Sequence, residues 1–453
     1  MRILHISCGY FLDSIGGTEV YVHNLSQELI RNGYQPFVSY IAEFYKRDGP
    51  KFRTREYDFE GIPVFVIERN LFNLKTQEIY FGTSKELSFL FKDYLRRIQP
   101  DIIHFHHFSP IGVITQLEVA KELRLSTILT YHTPMMTCSN SVMLFLGKSI
   151  CTGKLDFNRC LMCLQVFHGV PLILAWTWAK LPKILAKNLG KLVVKIGVGS
   201  RLATWLQLPW INRKRIESWR LGLQMIDHFV VVCQWAYGLL LENNISREKI
   251  SLCRQGIGQI PPVTQKQRND TLRLGFLGRI HQTKGLHILL QAFKSLSGHY
   301  KNIELSIYGS VQKPSDEKYY YKLRRQSRKD KRIKWLGVLS GKDKFQALNN
   351  LDILIIPSYW LETGPLVLLE AWAVETPVIG SRLGGISELV TEGKGGLLFE
   401  AGNPRELARL IKKIYNDPQV INRLRESIPA VRTMKDVASD MDNLYQRIYN
   451  KIR

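Results

Sequence analysis

The chain has 453 residues, of which 45% are hydrophobic and 23% are charged. This composition is that of a globular protein and excludes an intrinsically disordered one. The length exceeds that of one ordinary hydrophobic core, so we expect two domains. The formal net charge of +24 implies an anionic partner, such as nucleic acid, an acidic membrane surface or phosphorylated small molecules.

The N-terminal sequence MRILHISCGYFL predicts a buried strand rather than a secretory signal peptide. His5 and Ser7 interrupt its apolar stretch, and no small-residue cleavage site follows. The longest uncharged stretch, 160–179, has the length of a membrane span but contains Gly169 and Pro171. We therefore expect it to be interfacial or buried. We also expect a cytoplasmic protein whose seven cysteines mostly stay reduced.

Short β-branched runs alternate with helical patterns along most of the chain, which predicts parallel sheets flanked by helices. Strand candidates in the first half are RILHIS, PFVSYIAE, DIIHFHH, STILTYH and HFVVVCQ, and those in the second half are LRLGFLGR, IELSIYG, IKWLGV, DILIIPS and PVIGS. Two such series predict two doubly wound, Rossmann-like α/β domains, 1–260 and 261–430. The Pro-Pro and polar stretch 260–270 is the expected joint, and 431–453 forms a further helical pattern.

Segment 171–220 departs from this alternation and is interpreted as an insertion in the first domain. It carries ten basic residues against one acid, together with five tryptophans. Lysines at three- and four-residue steps lie along one helical face; they are Lys180, Lys183, Lys187, Lys191 and Lys195. Such a face beside tryptophans is typical of a helix on an anionic membrane surface. The alternative is an amphipathic helix packed on the domain, which explains the apolar face but not the charge.

Several turns that follow predicted strands are suited to binding phosphate. Gly16 and Gly17 in SIGGTE would let the backbone approach an anionic group closely. Arg279 follows the strand LGFLG, and Lys284 precedes the next helix. A guanidinium can bind two phosphate oxygens while an ammonium supplies a compact charge, so together they could neutralise a diphosphate.

The stretch ETGPLVLLEAWA places a carboxylate on each side of a helix start. Pro365 is tolerated there because the first helical N–H groups have no partner within the helix, and Gly364 leaves those groups accessible. Glu362 could accept hydrogen bonds from a polyhydroxylated ligand, and Glu370, two turns along the helix, would suit a ribose diol. The alternative is that Glu362 is an N-cap and Glu370 a surface acid.

The motifs GGTE, GRIHQTKG and ETGPLVLLEAWAVETPVIGSRLGGISELV, in this order, resemble those of the retaining glycosyltransferases of family four. The resemblance covers about 1–160 and 220–430. It implies the GT-B fold, in which two Rossmann-like domains face each other across a cleft. It also implies that the helix in 431–453 crosses back to the first domain, that the second domain binds the nucleotide-sugar donor, and that the first binds the acceptor.

The resemblance also implies roles for individual residues. The paired glutamates of the family match Glu362 and Glu370, its basic pair matches Arg279 and Lys284, and its histidine near the reacting sugar matches His132. Catalytic roles are thus expected for Glu362, His132, Arg279 and Lys284. The residues expected to bind the donor are Gly16, Gly17, Gly278, Gly309, Val338, Thr363, Gly364, Pro365, Leu366 and Glu370.

Four cysteines form a candidate structural metal site. A C-x-x-C pair preceded by two further cysteines is a plausible tetrahedral thiolate set for zinc or iron; the residues are Cys138, Cys151, Cys160 and Cys163. The alternative is four buried or free thiols. HFHH at 104–107 is not expected to be a metal site, because adjacent strand residues point to opposite faces.

The resemblance therefore implies a retaining, metal-independent glycosyltransferase, which we expect to use a UDP-, GDP- or ADP-sugar. With the basic insertion it predicts a glycan or lipid-linked acceptor, in surface polysaccharide or glycolipid assembly, and a peripheral location on the inner face of the membrane. Two alternatives remain: a nucleotide-sugar epimerase on the same fold, and a non-catalytic nucleic-acid-binding protein, for which the chain has no recognisable module. The oligomeric state is not predicted.

Overall fold

The structure is a computed structural model. It describes residues 1–13, 16–73, 84–108, 112–182, 184–185, 188, 200–264, 270–296, 300–312, 314–339 and 341–451.

The chain divides into two compact units. Unit 1 comprises Met1–Val232, Ala236–Cys253 and Ala438–Arg453, and unit 2 comprises Cys233–Trp235 and Arg254–Val437. The chain thus leaves unit 1 at Cys253, earlier than the joint expected at 260–270. The reason is packing: Ile257 is buried in the core of unit 2 and pairs with Thr433 of the same unit.

Unit 1 contains an eight-stranded sheet in the described part of the chain, with the order β10-β9-β6-β5-β1-β2-β4-β3. The neighbouring strands are parallel except for the edge pair β3 and β4, which is antiparallel. Its strands are β1 Arg2–Ile6, β2 Gln35–Phe44, β3 Phe52–Phe59, β4 Ile62–Asn70, β5 Ile102–Phe105, β6 Ser126–Tyr131, β9 His228–Val231 and β10 Ile250–Leu252. A separate hairpin is formed by β7 Leu144–Phe145 and β8 Ser149–Ile150.

α-Helices connect many of the strands of this sheet in the described part of unit 1. They are α1 Gly17–Arg31, α2 Lys85–Ile98, α3 Val113–Glu122, α4 Phe157–Phe167, α5 Leu172–Ala179, α6 Ser200–Met225 and α7 Gln234–Glu242, which begins in unit 2. Every residue of β5 and β6 is buried, as expected for parallel strands with helices on both faces.

Unit 2 contains a six-stranded sheet, counted over the described residues, with the order β13-β12-β11-β14-β15-β16, and all neighbours are parallel. Its strands are β11 Leu272–Leu277, β12 Ile303–Tyr308, β13 Ile333–Gly337, β14 Ile353–Ile356, β15 Val378–Ser381 and β16 Gly396–Phe399. Its helices are α8 Leu286–Lys294, α9 Glu317–Ser327, α10 Gly341–Asn350, α11 Leu366–Ala373, α12 Gly384–Leu389, α13 Pro404–Asn416 and α14 Gln419–Glu426.

The last helix, α15 Met434–Asn450, begins in unit 2, and its residues from Ala438 on belong to unit 1. Its buried Tyr445 hydroxyl lies 2.6 Å from His104 Nδ1 of that unit. The two doubly wound α/β units confirm the fold class predicted from the sequence.

The uncharged stretch 160–179 forms parts of two short helices, α4 and α5. Gly169, with a φ of 87°, and Pro171 separate them. Eleven and eight residues are too few to cross a bilayer, which takes roughly 20 residues. Within the ranges that the structure describes, no helix is long and apolar enough to span a membrane.

The predicted basic insertion divides into parts with different surroundings. In α6, Trp219 is fully buried, and the guanidiniums of Arg213 and Arg220 lie over the Phe157 ring at 4.6 and 4.7 Å. These residues therefore pack within unit 1. Four of the five lysines predicted to face a membrane lie outside the described residues; they are Lys183, Lys187, Lys191 and Lys195.

Candidate functional site

The carboxyl ends of β11 and β14 form the centre of the candidate site in unit 2. The two strands are neighbours, but the chain continues from β11 to β12 on one side and from β14 to β15 on the other. Connections that diverge in this way leave a crevice at the strand ends, where open α/β sheets bind ligands. Lys284 follows β11 and Glu362 follows β14, so two residues far apart in sequence meet at this crevice.

Lys284 and Glu362 form an ion pair. Lys284 Nζ lies 2.6 Å from Glu362 Oε1, which also accepts a hydrogen bond from Ser358 Oγ at 2.7 Å. The Glu362 side chain is 7% exposed and that of Lys284 is 20% exposed. Burial acts to raise the pKa of Glu362, but the Lys284 charge and the hydrogen bonds from Lys284 and Ser358 outweigh it, so the pKa is lowered. Glu362 is therefore a carboxylate at neutral pH.

Glycines allow the strand ends to approach each other at this crevice. Gly285 has a φ of 70°, and a Cβ on it would lie 1.7 Å from the Pro357 carbonyl oxygen. Gly309 has a φ of 142°, and a Cβ on it would lie 1.9 Å from the Gly278 oxygen. Neither position accepts a larger residue without a backbone shift. These glycines keep the turns after β11, β12 and β14 close together.

The helix that follows Glu362 starts as an open N-terminus. Pro365 precedes Leu366, the first residue of α11, and supplies no side-chain acceptor to the first N–H groups. Gly364 has a φ of 137°. The backbone carbonyl of Glu362 accepts hydrogen bonds from Gly385 N at 2.7 Å and from Trp235 Nε1 at 2.8 Å. The arrangement fixes the turn and leaves the α11 N-terminus available to an anion.

Other predicted donor-binding residues of unit 2 differ in exposure. Arg279 is exposed, with Nη1 3.5 Å from Gln312 Oε1, and Val338 is exposed after β13. Thr363 is buried. Of the predicted basic pair, Lys284 thus has a carboxylate partner, whereas Arg279 has, among the described residues, a long contact with the Gln312 amide.

Glu370 is 8% exposed and is therefore not a surface acid. Its Oε1 lies 2.6 Å from Nζ of Lys344, on α10. Glu370 is expected from the sequence to bind a ribose diol, but one of its carboxylate oxygens is paired with Lys344, which was not predicted. The pair closely matches that of Lys284 and Glu362, since the Lys344 and Glu370 side chains are 22% and 10% exposed.

In unit 1, Gly16 and Gly17 lie at the start of α1, as the cap and the first residue. The chain's own Glu19 stands in the first turn, and a Cβ on Gly16 would lie 2.7 Å from Glu19 Oε2. Glu19 is buried, and Cys8 Sγ donates to its Oε1 at 3.0 Å. In this structure a carboxylate of the protein thus already lies at the helix start predicted to receive an anionic ligand.

His132 lies at the end of β6 in a row of buried histidines. Its Nε2 is 3.1 Å from His106 Nδ1, and His106 Nε2 is 2.9 Å from His5 Nδ1. Burial lowers the pKa of His5 and that of His132 to about 3, so both are neutral at pH 7. A neutral imidazole has one donor and one acceptor nitrogen, so the two bonds must run in one direction. The tautomer of His132 is therefore linked to that of His5.

The place of His5 in this row of histidines was not predicted from the sequence. The parallel register pairs His5 of β1 with His104 of β5, and residues opposite each other project from the same face of a sheet. His106, two residues on, shares that face. Among the described residues, His5, His104 and His106 form a group of three potential metal ligands whose nitrogens lie within 4.8 Å of one another. Both nitrogens of His104 are engaged, with Tyr445 and Thr130.

Comparison with known proteins identifies related families for both units. The model described as glycosyl transferases group 1 matches residues 262–430, and the model described as glycosyltransferase family 4 matches 15–155. The capsular polysaccharide biosynthesis glycosyltransferase CapM of Staphylococcus aureus is 31% identical over 188 residues, which is 41% of this chain and 46% of CapM. The chain thus matches less than half the length of this relative.

Solved structures resemble the chain over its whole length. Sucrose-phosphate synthase from Thermosynechococcus elongatus aligns with a TM-score of 0.65 and 18% identity over 99% of both chains. The Anabaena protein HepE, solved with UDP and glucose, aligns with a TM-score of 0.61 and 16% identity, over 100% of this chain and 99% of its own. At such identities the likeness concerns the fold, which is that of the GT-B glycosyltransferases.

Proposed function

We propose that this chain, which matches the glycosyl transferases group 1 model over residues 262–430 and the glycosyltransferase family 4 model over residues 15–155, transfers a sugar from a nucleotide-diphosphate sugar to a glycan or lipid-linked acceptor. The reaction proposed is retaining and needs no metal ion. The role proposed is in surface polysaccharide or glycolipid assembly at the cytoplasmic face of a membrane. The observation that carries the proposal is the Lys284–Glu362 pair at the diverging ends of β11 and β14.

The chemistry of the leaving group fits the crevice in unit 2. Glycosyl transfer passes through an oxocarbenium-like state, and the nucleoside diphosphate leaves with growing negative charge. Lys284, the exposed Arg279 and the N–H groups at the start of α11 are the groups proposed to stabilise that charge. Glu362 is proposed to hold sugar hydroxyls, because it is ionised and is fixed at the strand ends by the contacts of its Oε1 with Lys284 and Ser358.

The nucleotide is proposed to be a uridine, guanosine or adenosine diphosphate. HepE was solved with UDP and glucose, and the catalytic domain of starch synthase IV from Arabidopsis with ADP and acarbose. These complexes support a nucleoside diphosphate in a chain of this fold.

The membrane proposal is supported by the described part of segment 171–220. In α5, Ile173 is 77% exposed, Leu174 55% and Trp176 50%, and Lys180 Nζ lies 3.7 Å from the centre of the Trp176 ring. Apolar residues, a tryptophan and a lysine together suit the headgroup level of a bilayer. The double substitution Ile173→Glu and Leu174→Glu should lower co-sedimentation with anionic vesicles.

The matched control for that experiment is Phe89→Glu. Phe89 is 71% exposed on α2 of the same unit, and its substitution should leave vesicle binding unchanged. Equal binding by all three proteins would contradict the membrane proposal while leaving the donor proposal intact.

The donor proposal is tested by calorimetry with UDP, GDP and ADP. We expect one of the three to bind the wild type, and Lys284→Met to weaken that binding by about tenfold or more, or about 1.4 kcal/mol. Lys334→Met removes a lysine from an ion pair with Glu304 in the same unit, which involves none of the predicted donor-binding residues, and should change affinity only a few-fold. No binding by the wild type, or equal losses in both variants, would contradict the assignment of Lys284.

The transfer proposal is tested with membrane lipid extracts and the donor that binds. Glu362→Gln should largely abolish product formation while preserving nucleotide binding. A nucleotide-sugar epimerase, the alternative enzyme, would convert the donor without any acceptor, so analysis of the sugar product distinguishes the two reactions.

A further inference from the structure

Four cysteines of unit 1, spread over residues 138–163, converge on one small cavity. Cys138 follows β6, Cys151 directly follows the β7–β8 hairpin, and Cys160 and Cys163 lie on α4. All four line a cavity of about 20 Å³. A volume of this size holds one water molecule or one ion and is too small for a cluster of several metal and sulfide ions.

The local fold brings these cysteines together through specific turns. The hairpin turn contains Leu146 and Gly147, both with positive φ, and Cys151 N donates to the Met143 carbonyl at 2.9 Å. Asp156 caps α4, its carboxylate accepting from Arg159 N at 2.7 Å. The hairpin and the capped helix then face the same cavity. Because Cys160 and Cys163 are three residues apart, they project from one side of α4.

Nitrogen donors point at two of the sulfur atoms. Leu146 N donates to Cys163 Sγ at 3.2 Å, and Gly153 N donates to Cys151 Sγ at 3.5 Å. Gly153 has a φ of 78°, and a Cβ on it would lie 2.4 Å from Leu239 Cδ1. Donors of this kind stabilise negative charge on sulfur, as the surroundings of a metal-bound thiolate do.

Positive side chains also border the cavity. Lys154 and Arg159 are among its lining residues, and the Arg159 guanidinium lies over the Phe145 ring at 4.6 Å. Four thiolates around one divalent cation leave a net charge of −2, which these two cations would offset. A cluster of four neutral thiols would need no such charge.

We infer that Cys138, Cys151, Cys160 and Cys163 bind one Zn²⁺ ion in tetrahedral geometry as a structural site. Thiolate sulfur and a cavity for a single ion favour zinc. Each bound thiol loses its proton to solvent when the ion binds. In the structure, no three of the four sulfur atoms lie within 4.8 Å of one another, although all four cysteines are described. Closure around the ion therefore requires rotation of Cα–Cβ bonds, which have three staggered positions.

The histidine group of unit 1 is the weaker metal candidate. His106 uses one nitrogen toward His5 and the other toward His132, and His104 is bonded through both of its nitrogens. Metal binding there would break several buried hydrogen bonds. In the cysteine cavity the bond lost on deprotonation is a weaker one, since Cys163 Sγ donates to the Leu144 carbonyl at 3.6 Å and a thiol is a weak donor.

Elemental analysis of the full-length chain, purified in reducing buffer without added chelator, tests the inference. We expect about one zinc per chain, falling to near zero in Cys160→Ser/Cys163→Ser. The matched control is Cys253→Ala, which removes a buried cysteine of unit 1 outside the cluster and should retain the zinc. Because structural zinc accepts three cysteines and one histidine, Cys138→His should retain zinc, whereas Cys138→Ala should lose it.

A measurement on the wild type alone covers the case in which the cysteine variants fail to fold. Titration with a mercurial reagent should release zinc in step with modification of four thiols, and Co²⁺ reconstitution should give intense visible bands of tetrahedral thiolate coordination. Less than a tenth of a zinc per chain after growth in zinc, retention of zinc by the double variant, or stoichiometric iron in its place would overturn the inference.

Discussion

The substitution Lys284→Met should invert the way in which Glu362 contributes to stability as pH changes. In the wild type the pKa of Glu362 is lowered. Its contribution is therefore present above the unfolded pKa of about 4.3 and is lost as the pH falls through the folded value. Without Lys284, burial dominates and raises the pKa of Glu362. The contribution is then present at low pH and is lost as the pH rises through the raised value.

The magnitude follows from the geometry of the ion pair. At 2.6 Å and an effective dielectric constant of about 20, the attraction is roughly 6 kcal/mol before desolvation. Removing one partner of a buried pair costs about 3–5 kcal/mol. Because Lys284 is one-fifth exposed, we expect Lys284→Met to lower the free energy of unfolding by about 3 kcal/mol at pH 7.5. At pH 4.5 the loss should be less than half of that.

Urea unfolding followed by tryptophan fluorescence at several pH values measures this effect. The double variant Lys284→Met/Glu362→Gln should recover most of the lost stability, because it removes the uncompensated carboxylate as well. Lys334→Met provides the control, because it removes a lysine from an exposed ion pair with Glu304, whose side chains are 47% and 38% exposed, and should cost less than about 1 kcal/mol. A loss below about 1 kcal/mol, or a deficit independent of pH, would refute the argument that Glu362 is a buried carboxylate held by Lys284.

Three further predictions concern other parts of the chain. Gly309→Ala should destabilise unit 2 by about 3 kcal/mol, since its φ of 142° is strained for alanine and its Cβ would lie 1.9 Å from the Gly278 oxygen; a loss in urea unfolding no greater than that of Gly33→Ala would contradict this. The folded pKa of His5, about 3, lies below the unfolded value of 6.5, so the unfolded chain binds more protons between these values. The free energy of unfolding of the wild type should therefore fall as the pH drops from 6 to 4, and His5 should contribute about 1.4 kcal/mol per pH unit to this fall. His5→Asn should show a shallower decline in urea unfolding. A pH dependence equal to that of the wild type would argue against a buried neutral imidazole at His5. Neutralising the five lysines of segment 171–220 should lower binding to anionic vesicles and leave donor hydrolysis intact. Vesicle binding equal to that of the wild type would contradict a role for these lysines in membrane binding.

Most strands of the two sheets could be predicted because each is a short β-branched run between helical patterns, but β10 Ile250–Leu252 and β16 Gly396–Phe399 were not among the predicted strands. The antiparallel pair β3 and β4 was missed, although the alternation in FRTREYDF and the turn at Glu60 and Gly61 were present in the sequence. Both turn residues have positive φ, 51° and 78°, as hairpins with two-residue turns require. The alternation of strands and helices predicted parallel strands, and it gave no indication of an antiparallel hairpin at the edge of the sheet.

The candidate site was less predictable than the fold, because side-chain partners depend on which elements become neighbours. Glu362 and Lys284 were singled out by their positions after predicted strands, but their ion pair follows from the order of β11 and β14 in the sheet. Lys344, the partner of Glu370, lies on a different helix, and no local pattern links the two. His5 required the register between β1 and β5, which a single sequence does not give.

The two ends of the eight-stranded sheet have a consequence for how the protein behaves in solution. Along β3, Arg53, Glu56 and Asp58 are exposed, and at the opposite end β10 has only three residues. A charged border strand and a very short one both discourage a strand of another molecule from adding to the sheet. We therefore expect the chain to resist aggregation by strand addition at high concentration, without help from its large net charge.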